Sequence, residues 1–129
     1  MKNFTIFLTI LLALTQVSLS AVHPEAKLEF EQYCAYFKYP YQKYEVTTED
    51  GYILTVYRVQ RKGSTIVEGL KPIYFQHGLL DSSDGWIIND DYRAPALMAA
   101  NRGFDVWLGN SRGNKHSRKH VRYNPDKDK

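Results

Sequence analysis

Three places in this 129-residue chain combine residue types and spacings that could do chemistry. The first is Pro72-Ile73-Tyr74-Phe75-Gln76-His77-Gly78-Leu79-Leu80, an apolar run that stops at a His-Gly turn. A glycine there lets the backbone approach a developing alkoxide. The N–H of the next residue, Leu79, is then expected to be an oxyanion donor in an acyl-transfer centre. His77 and Gly78 read as its support, since a histidine at this point fixes a loop by hydrogen bonding more readily than it serves as a base. The second place is Gly109-Asn110-Ser111-Arg112-Gly113, which fits the Gly-x-Ser-x-Gly pattern of a serine nucleophile. Such a serine must turn from strand into helix, and Asn114 to Tyr123 offers no apolar face for a helix to dock. Ser111 is therefore expected to form a tight turn at the floor of the site, and no nucleophile is expected in the chain. The third place is His116 and His120, four residues apart. No third ligand follows nearby and the surrounding cations would repel a metal, so a solvated face without metal is expected. Asp81 and Asp84 read as carboxylates that cap the loop.

The elements that must position these residues can be read from periodicity. Leu28, Phe30, Tyr33, Cys34 and Phe37 recur at helical spacing, which predicts a short amphipathic helix over Ala26 to Phe37, ending before Tyr39-Pro40. Tyr44 to Thr47 and Tyr52 to Val59 flank Glu49-Asp50-Gly51 and predict a β-hairpin. A polar surface loop, Gln60 to Leu70, leads to a strand over Lys71 to Gln76. A helix over Asp91 to Asn101 and a strand over Phe104 to Leu108 complete a βαβ crossover with parallel strands. Trp86, Ile87 and Ile88 form an apolar patch near the site. From Gly109 onward the chain reads as polar, basic and without period.

Composition sets the compartment. Lys2, the apolar run Phe4 to Leu14 and the small residues Ser18 and Ser20 predict a secretory signal over residues 1–20, with cleavage near Ser20/Ala21. The run is too short to span the roughly 30 Å of a bilayer core. The sequon Asn3-Phe4-Thr5 would leave with it. The single cysteine, Cys34, excludes an internal disulfide and is expected to be buried. The net charge of +3 is uneven: from Arg112 to Lys129 seven cations face two acids. With no aromatics interleaved beyond Tyr123 and no nucleic-acid fold signature, that tail predicts no nucleic-acid partner.

The strings Tyr44-Glu45-Val46-Thr47-Thr48-Glu49-Asp50-Gly51-Tyr52-Ile53-Leu54, Gln76-His77-Gly78-Leu79-Leu80-Asp81-Ser82-Ser83 and Gly103-Phe104-Asp105-Val106-Trp107-Leu108-Gly109-Asn110-Ser111-Arg112-Gly113-Asn114 resemble the acid lipase family. The likeness covers roughly Phe30 to Lys119. It implies an α/β fold, the N-terminal part of an α/β-hydrolase, with a β-hairpin, a βαβ unit and an incomplete sheet over residues 21–129. It also implies that Leu79 gives the oxyanion donor. The family's serine lies in a later Gly-His-Ser-x-Gly elbow, followed by an Asp and a His, and none has a counterpart here. This chain alone lacks the triad, so the resemblance leaves open whether it is an enzyme by itself. It reads as truncated before the elbow, with the Phe104 to Leu108 strand left with an unpaired edge.

By the same resemblance, the full enzyme would be secreted or lysosomal. It would hydrolyse triacylglycerol or sterol esters at a lipid–water interface through a serine acyl-enzyme, without cofactor or metal. Trp86, Ile87 and Ile88 are then candidates for the acyl pocket, or else ordinary packing under the loop. The alternative is a non-catalytic module that binds lipid or a partner.

Overall fold

The computed structural model describes residues 24–128. The expected leader, its cleavage point and the sequon at Asn3 lie outside the described residues. A 3₁₀ turn, Pro24–Lys27, precedes helix α1, Phe30–Phe37. The single helix expected from Ala26 is thus divided. Glu29 is extended at φ −71° and ψ 162°, and its N–H donates to Gln32 Oε1 at 3.0 Å, which starts α1 where an orphan donor would otherwise remain. The helix buries Phe30, Tyr33 and Cys34 on one face. Lys38 closes it in the left-handed region at φ 62°, with the Tyr39 N–H donating to the Cys34 carbonyl at 2.8 Å. Cys34 is fully buried as expected, and that burial pushes its thiol up to about 12.

The hairpin comprises β1, Tyr41–Thr47, and β2, Tyr52–Val59, in register from Tyr41↔Val59 to Thr47↔Ile53. β1 begins earlier than expected, directly after Pro40. Gly51 holds the turn at φ 91°, a conformation that any side chain would strain. β3, Pro72–Phe75, and β4, Asp105–Leu108, run parallel from Pro72↔Asp105 to Phe75↔Leu108, as the crossover predicts. The helix between them is two pieces, α2, Asp90–Arg93, and α3, Pro95–Asn101. Pro95 forces Ala94 out of helical geometry, to ψ 112°, which breaks the single helix expected over Asp91 to Asn101.

The sheet order is β1-β2-β4-β3, with β2 antiparallel to β4 through Tyr57↔Leu108, Arg58↔Trp107 and Val59↔Val106. This corrects one expectation: β4 has partners on both sides and no unpaired edge, because β2 continues past the hairpin far enough to cover it. The outer edge on that side belongs to β3. Val59, Val106, Leu108, Ile87 and Leu97 form the core together with Phe30, Tyr33 and Cys34. Each such fully buried side chain contributes about 1.5–3 kcal/mol. The result is a small mixed α/β sheet, as expected for part of an α/β-hydrolase.

The segment after Gly109 is more ordered than its composition suggests. A short strand β5, Lys119–His120, pairs antiparallel with Tyr52 and Ile53 of β2. Its cations find acids from elsewhere: Arg112 meets Asp50 at 2.5 Å and Lys119 meets Glu45 at 2.7 Å. Arg118 meets Asp126 at 2.6 Å. Among the described residues no helix is long and apolar enough to cross a membrane.

Candidate active site

The loop that leaves β3 and the turn that leaves β4 face each other across an open cavity of about 710 Å³, lined by residues 76–82 and 111–115. Both lie at the carboxyl ends of parallel strands, where α/β sheets place their ligands. Leu79 and Leu80 stand at the rim, 93% and 99% exposed. Among the described residues no hydrogen bond engages the Leu79 N–H. Leu80 is left-handed at φ 62°, and the Asp81 N–H turns back to the Gly78 carbonyl at 3.3 Å.

Both stems of this loop are held by the β4 turn. His77 Nε2 accepts from the Ser111 N–H at 3.0 Å and lies 3.2 Å from Asn114 Nδ2. Since the Ser111 N–H can only donate, Nε2 carries no proton and Nδ1–H donates to the Gly78 carbonyl at 2.7 Å. Gln76 Nε2 donates to Ser111 Oγ at 3.1 Å. At the far stem the Ser83 N–H donates to Asn110 Oδ1 at 3.0 Å.

Gly109 makes the close approach of the two segments feasible, since a Cβ there would stand 1.8 Å from Tyr74 Oη. Asn110 itself is buried. Its Nδ2 donates to the Thr55 carbonyl at 3.2 Å and to Ser83 Oγ at 3.1 Å, and its Oδ1 also accepts from Asn114 Nδ2 at 2.8 Å. Both donors and both lone pairs of the amide are used.

The residues singled out from the sequence fall into distinct places. Gln76, His77, Gly78, Leu79 and Ser111 line the cavity together. Ser111 lies in a turn with no helix after it, and His77 holds its backbone N–H rather than its hydroxyl. Trp86, Ile87 and Ile88 do not line the cavity. The Trp86 ring packs 5.1 Å from Phe75, Ile87 belongs to the core and Ile88 is exposed. Asp81 caps the loop, accepting from the Ser82 N–H at 2.7 Å.

Asp84 and His116 differ from expectation. His116 is not on a solvated face: its ring sits edge-on to Phe30 and Tyr57, with Nδ1 3.3 Å from Tyr57 Oη and Nε2 2.9 Å from Asp84 Oδ1. Asp84 pairs with His116 and Lys115 instead of capping the loop. Burial alone would raise its carboxyl, but the His116 and Lys115 hydrogen bonds hold it below the usual range. The sequence hid this because Asp84 and His116 lie 32 residues apart.

Glu29, Asp84 and His116 bring three potential ligand atoms within 4.8 Å of one another. The Lys115 ammonium already lies against both carboxylates and fills the place a cation would take. His120 is separate, bonding the Asp50 carbonyl at 2.9 Å.

Asn110 and Asn114 are the site residues that sequence reasoning missed. Nothing in their local spacing marks them; their partners lie up to 55 residues away.

Comparison with known proteins supplies the context for this geometry. Residues 30–90 match the family described as the partial alpha/beta-hydrolase lipase region. The chain is 51% identical to the gastric triacylglycerol lipase of Rattus norvegicus over 106 residues, 81% of this chain and 27% of that protein. It is 47% identical to lipase member K of Homo sapiens over 80% of this chain and 26% of that one. With lipase lipl-1 of Caenorhabditis elegans the identity is 40% over 94% of this chain and 31% of the relative. The chain therefore spans about a quarter to a third of the length of these curated relatives.

Proposed function

Because this chain belongs to the acid lipase family, we propose that it forms the front of a lipase that hydrolyses carboxylic esters of triacylglycerols or sterols through a serine acyl-enzyme. In this reading the Leu79 N–H stabilises the tetrahedral oxyanion, supported by His77 and Gly78, and the attacking serine lies outside these 129 residues. The observation that carries it is the position of the Leu79 N–H, which no hydrogen bond among the described residues engages, at a cavity where two parallel strands end. An oxyanion donor must be free in the resting site and fixed in position, since it contributes only if no reorganisation is needed during reaction.

Ser111 has a structural part in this reading. Its backbone N–H is committed to His77 and its hydroxyl accepts from Gln76, so neither a base nor a helix N-terminus activates it. Trp86 packs on Phe75 and Ile87 lies in the core, and in this reading the acyl chain meets Leu79 and Leu80. No cofactor is required, since the chemistry needs only a triad and oxyanion donors. The leader pattern of residues 1–20 supports a secreted or lysosomal enzyme acting at a lipid–water interface.

Labelling the whole protein with a fluorophosphonate and mapping the adduct by mass spectrometry tests this assignment. The expected outcome is ester hydrolysis that the reagent abolishes, with the adduct on a serine beyond Lys129. An adduct on Ser111 would overturn the division of roles. A protein that binds ester lipid yet neither hydrolyses it nor takes the label would select the non-catalytic module.

A further inference from the structure

The cavity, the Glu29–Asp84–His116 cluster, the basic segment after Gly109 and the exposed β3 edge each offer something unexplained, but the Asn110 amide carries furthest. We infer that Asn110 is a positioning residue: it sets the oxyanion loop by holding the Ser83 stem while the same turn holds the His77 stem. The inference rests on the lipase reading given above for its catalytic consequence and on geometry alone for its structural one.

Asn110 follows β4 by two residues and reaches three separate segments at once. Its amide binds β2 at the Thr55 carbonyl, the loop at Ser83 through both N–H and Oγ, and its own turn at Asn114. Asn114 then passes the constraint to the other stem, lying 3.2 Å from His77 Nε2, while its Oδ1 accepts from the His116 and Ser117 N–H groups. The five residues Gly78 to Ser82 are thus suspended between His77 and Ser83, both fixed by residues 110–114.

The choice of side chain follows from the bond pattern. Only a primary amide of this length offers two donors and a two-site acceptor from one short side chain. A carboxylate would keep the acceptor, lose both donors and place a charge where the Thr55 carbonyl and Ser83 Oγ expect hydrogen. The loop would then shift or loosen at one stem. Misplacement of about 1 Å costs on the order of 10²-fold in rate when it moves a group that must meet a transition state. Substrate binding through the apolar rim would change much less, because Leu79 and Leu80 bind lipid without fixed geometry.

The test uses Asn110→Asp in the whole protein that carries this chain, read in two ways. With a soluble short-chain nitrophenyl ester, kcat falls about tenfold to a hundredfold while KM stays within about twofold. By hydrogen exchange with mass spectrometry, peptides across residues 77–84 exchange faster while peptides from β2 and β4 match the parent. Unchanged kcat and exchange, or equal acceleration in all peptides of a folded protein, would overturn the inference.

Ser83→Ala is the second variant, should Asn110→Asp fail to fold. It removes one contact to the amide, and a severalfold loss in kcat with faster exchange only in 77–84 supports the inference, whereas no change overturns it. A parent protein without ester hydrolysis would sink the lipase reading instead, and the exchange result would still decide whether Asn110 fixes the loop.

Discussion

At the start of β4 the Asp105 carboxylate meets Arg58 at 2.7 Å and Gln60 at 2.8 Å, whereas just past its end the Asn110 amide meets Thr55, Ser83 and Asn114. Each cluster pins a loop. Arg58 also reaches Glu68 and the Val67 carbonyl, and Gln60 exchanges two hydrogen bonds with the Val67 backbone, so the 61–70 loop is clamped down. The difference is charge. The end remote from the cavity uses a buried ion pair, with Arg58 and Asp105 side chains only 3% and 8% exposed. At the cavity end the buried tie is the neutral Asn110 amide, while the charged Asp81, Arg112 and Lys115 of the cavity lining are exposed. In the proposed reaction an amide fixes the backbone at the Ser83 stem without adding a charge of its own there. The fold thus anchors one end of β4 through a buried ion pair and the other through a buried neutral amide.

That division predicts different costs for damage at the two ends. Arg58→Leu leaves Asp105 buried and short of its cation, so unfolding by urea should show a loss of about 3–5 kcal/mol. A loss below about 1 kcal/mol would erase the contrast. Leu79→Pro deletes the N–H at the other end; kcat of the whole enzyme should fall by about 10²–10³ with little change in urea midpoint. A variant that instead unfolds at lower urea without losing kcat would assign Leu79 to stability.

Gly109→Ala lies between the two ends. Its new Cβ would force the Tyr74 ring aside and with it Gln76, whose Oε1 would be 3.0 Å away. Melting should show a loss of about 1–3 kcal/mol, typical of overpacking. An unchanged melting temperature would mean that the approach of β3 and the β4 turn is slack.

The smallest expected effect is in acid. Burial would raise the Asp105 carboxyl, but the hydrogen bonds from Arg58, Gln60 and Trp107 hold it below the usual range. A carboxyl lowered on folding stabilises the protein fully above its ordinary value of about 3.9, and that contribution fades as pH falls through the lower native value. The urea midpoint should therefore be flat between about pH 7 and pH 5 and fall below about pH 4, less steeply in Asp105→Asn. A midpoint that climbs on acidification would reverse the sign and refute the account.

Much of the scaffold was legible because it is written locally. Alternation in Tyr52 to Val59, the Asp50-Gly51 turn and the apolar stretch before His77 identify strands and their order. The splitting of the helix at Pro95 was also written there and follows from proline geometry. The site was legible only in part. His77, Gly78 and Leu79 announce themselves at a strand end, but Asn110, Asn114, Asp84 and His116 gain meaning from partners that folding brings from 27 to 59 residues away. The pairing of β4 with β2 escaped for the same reason, since no local pattern says which strand a βαβ unit will meet.

The segment from Arg112 to His120 also carries a consequence for the order of assembly. Its ties to the hairpin close long loops: Lys119 to Glu45 spans 74 residues and Ser117 to Thr55 spans 62. The β1–β2 hairpin closes over a few residues and needs nothing downstream. Contacts across such separations follow local ones, because chain entropy must be lost before they return anything. During synthesis the hairpin can therefore form while its β5 side and the cavity wall are still absent, and the cavity takes shape only when residues 111–115 are laid across it.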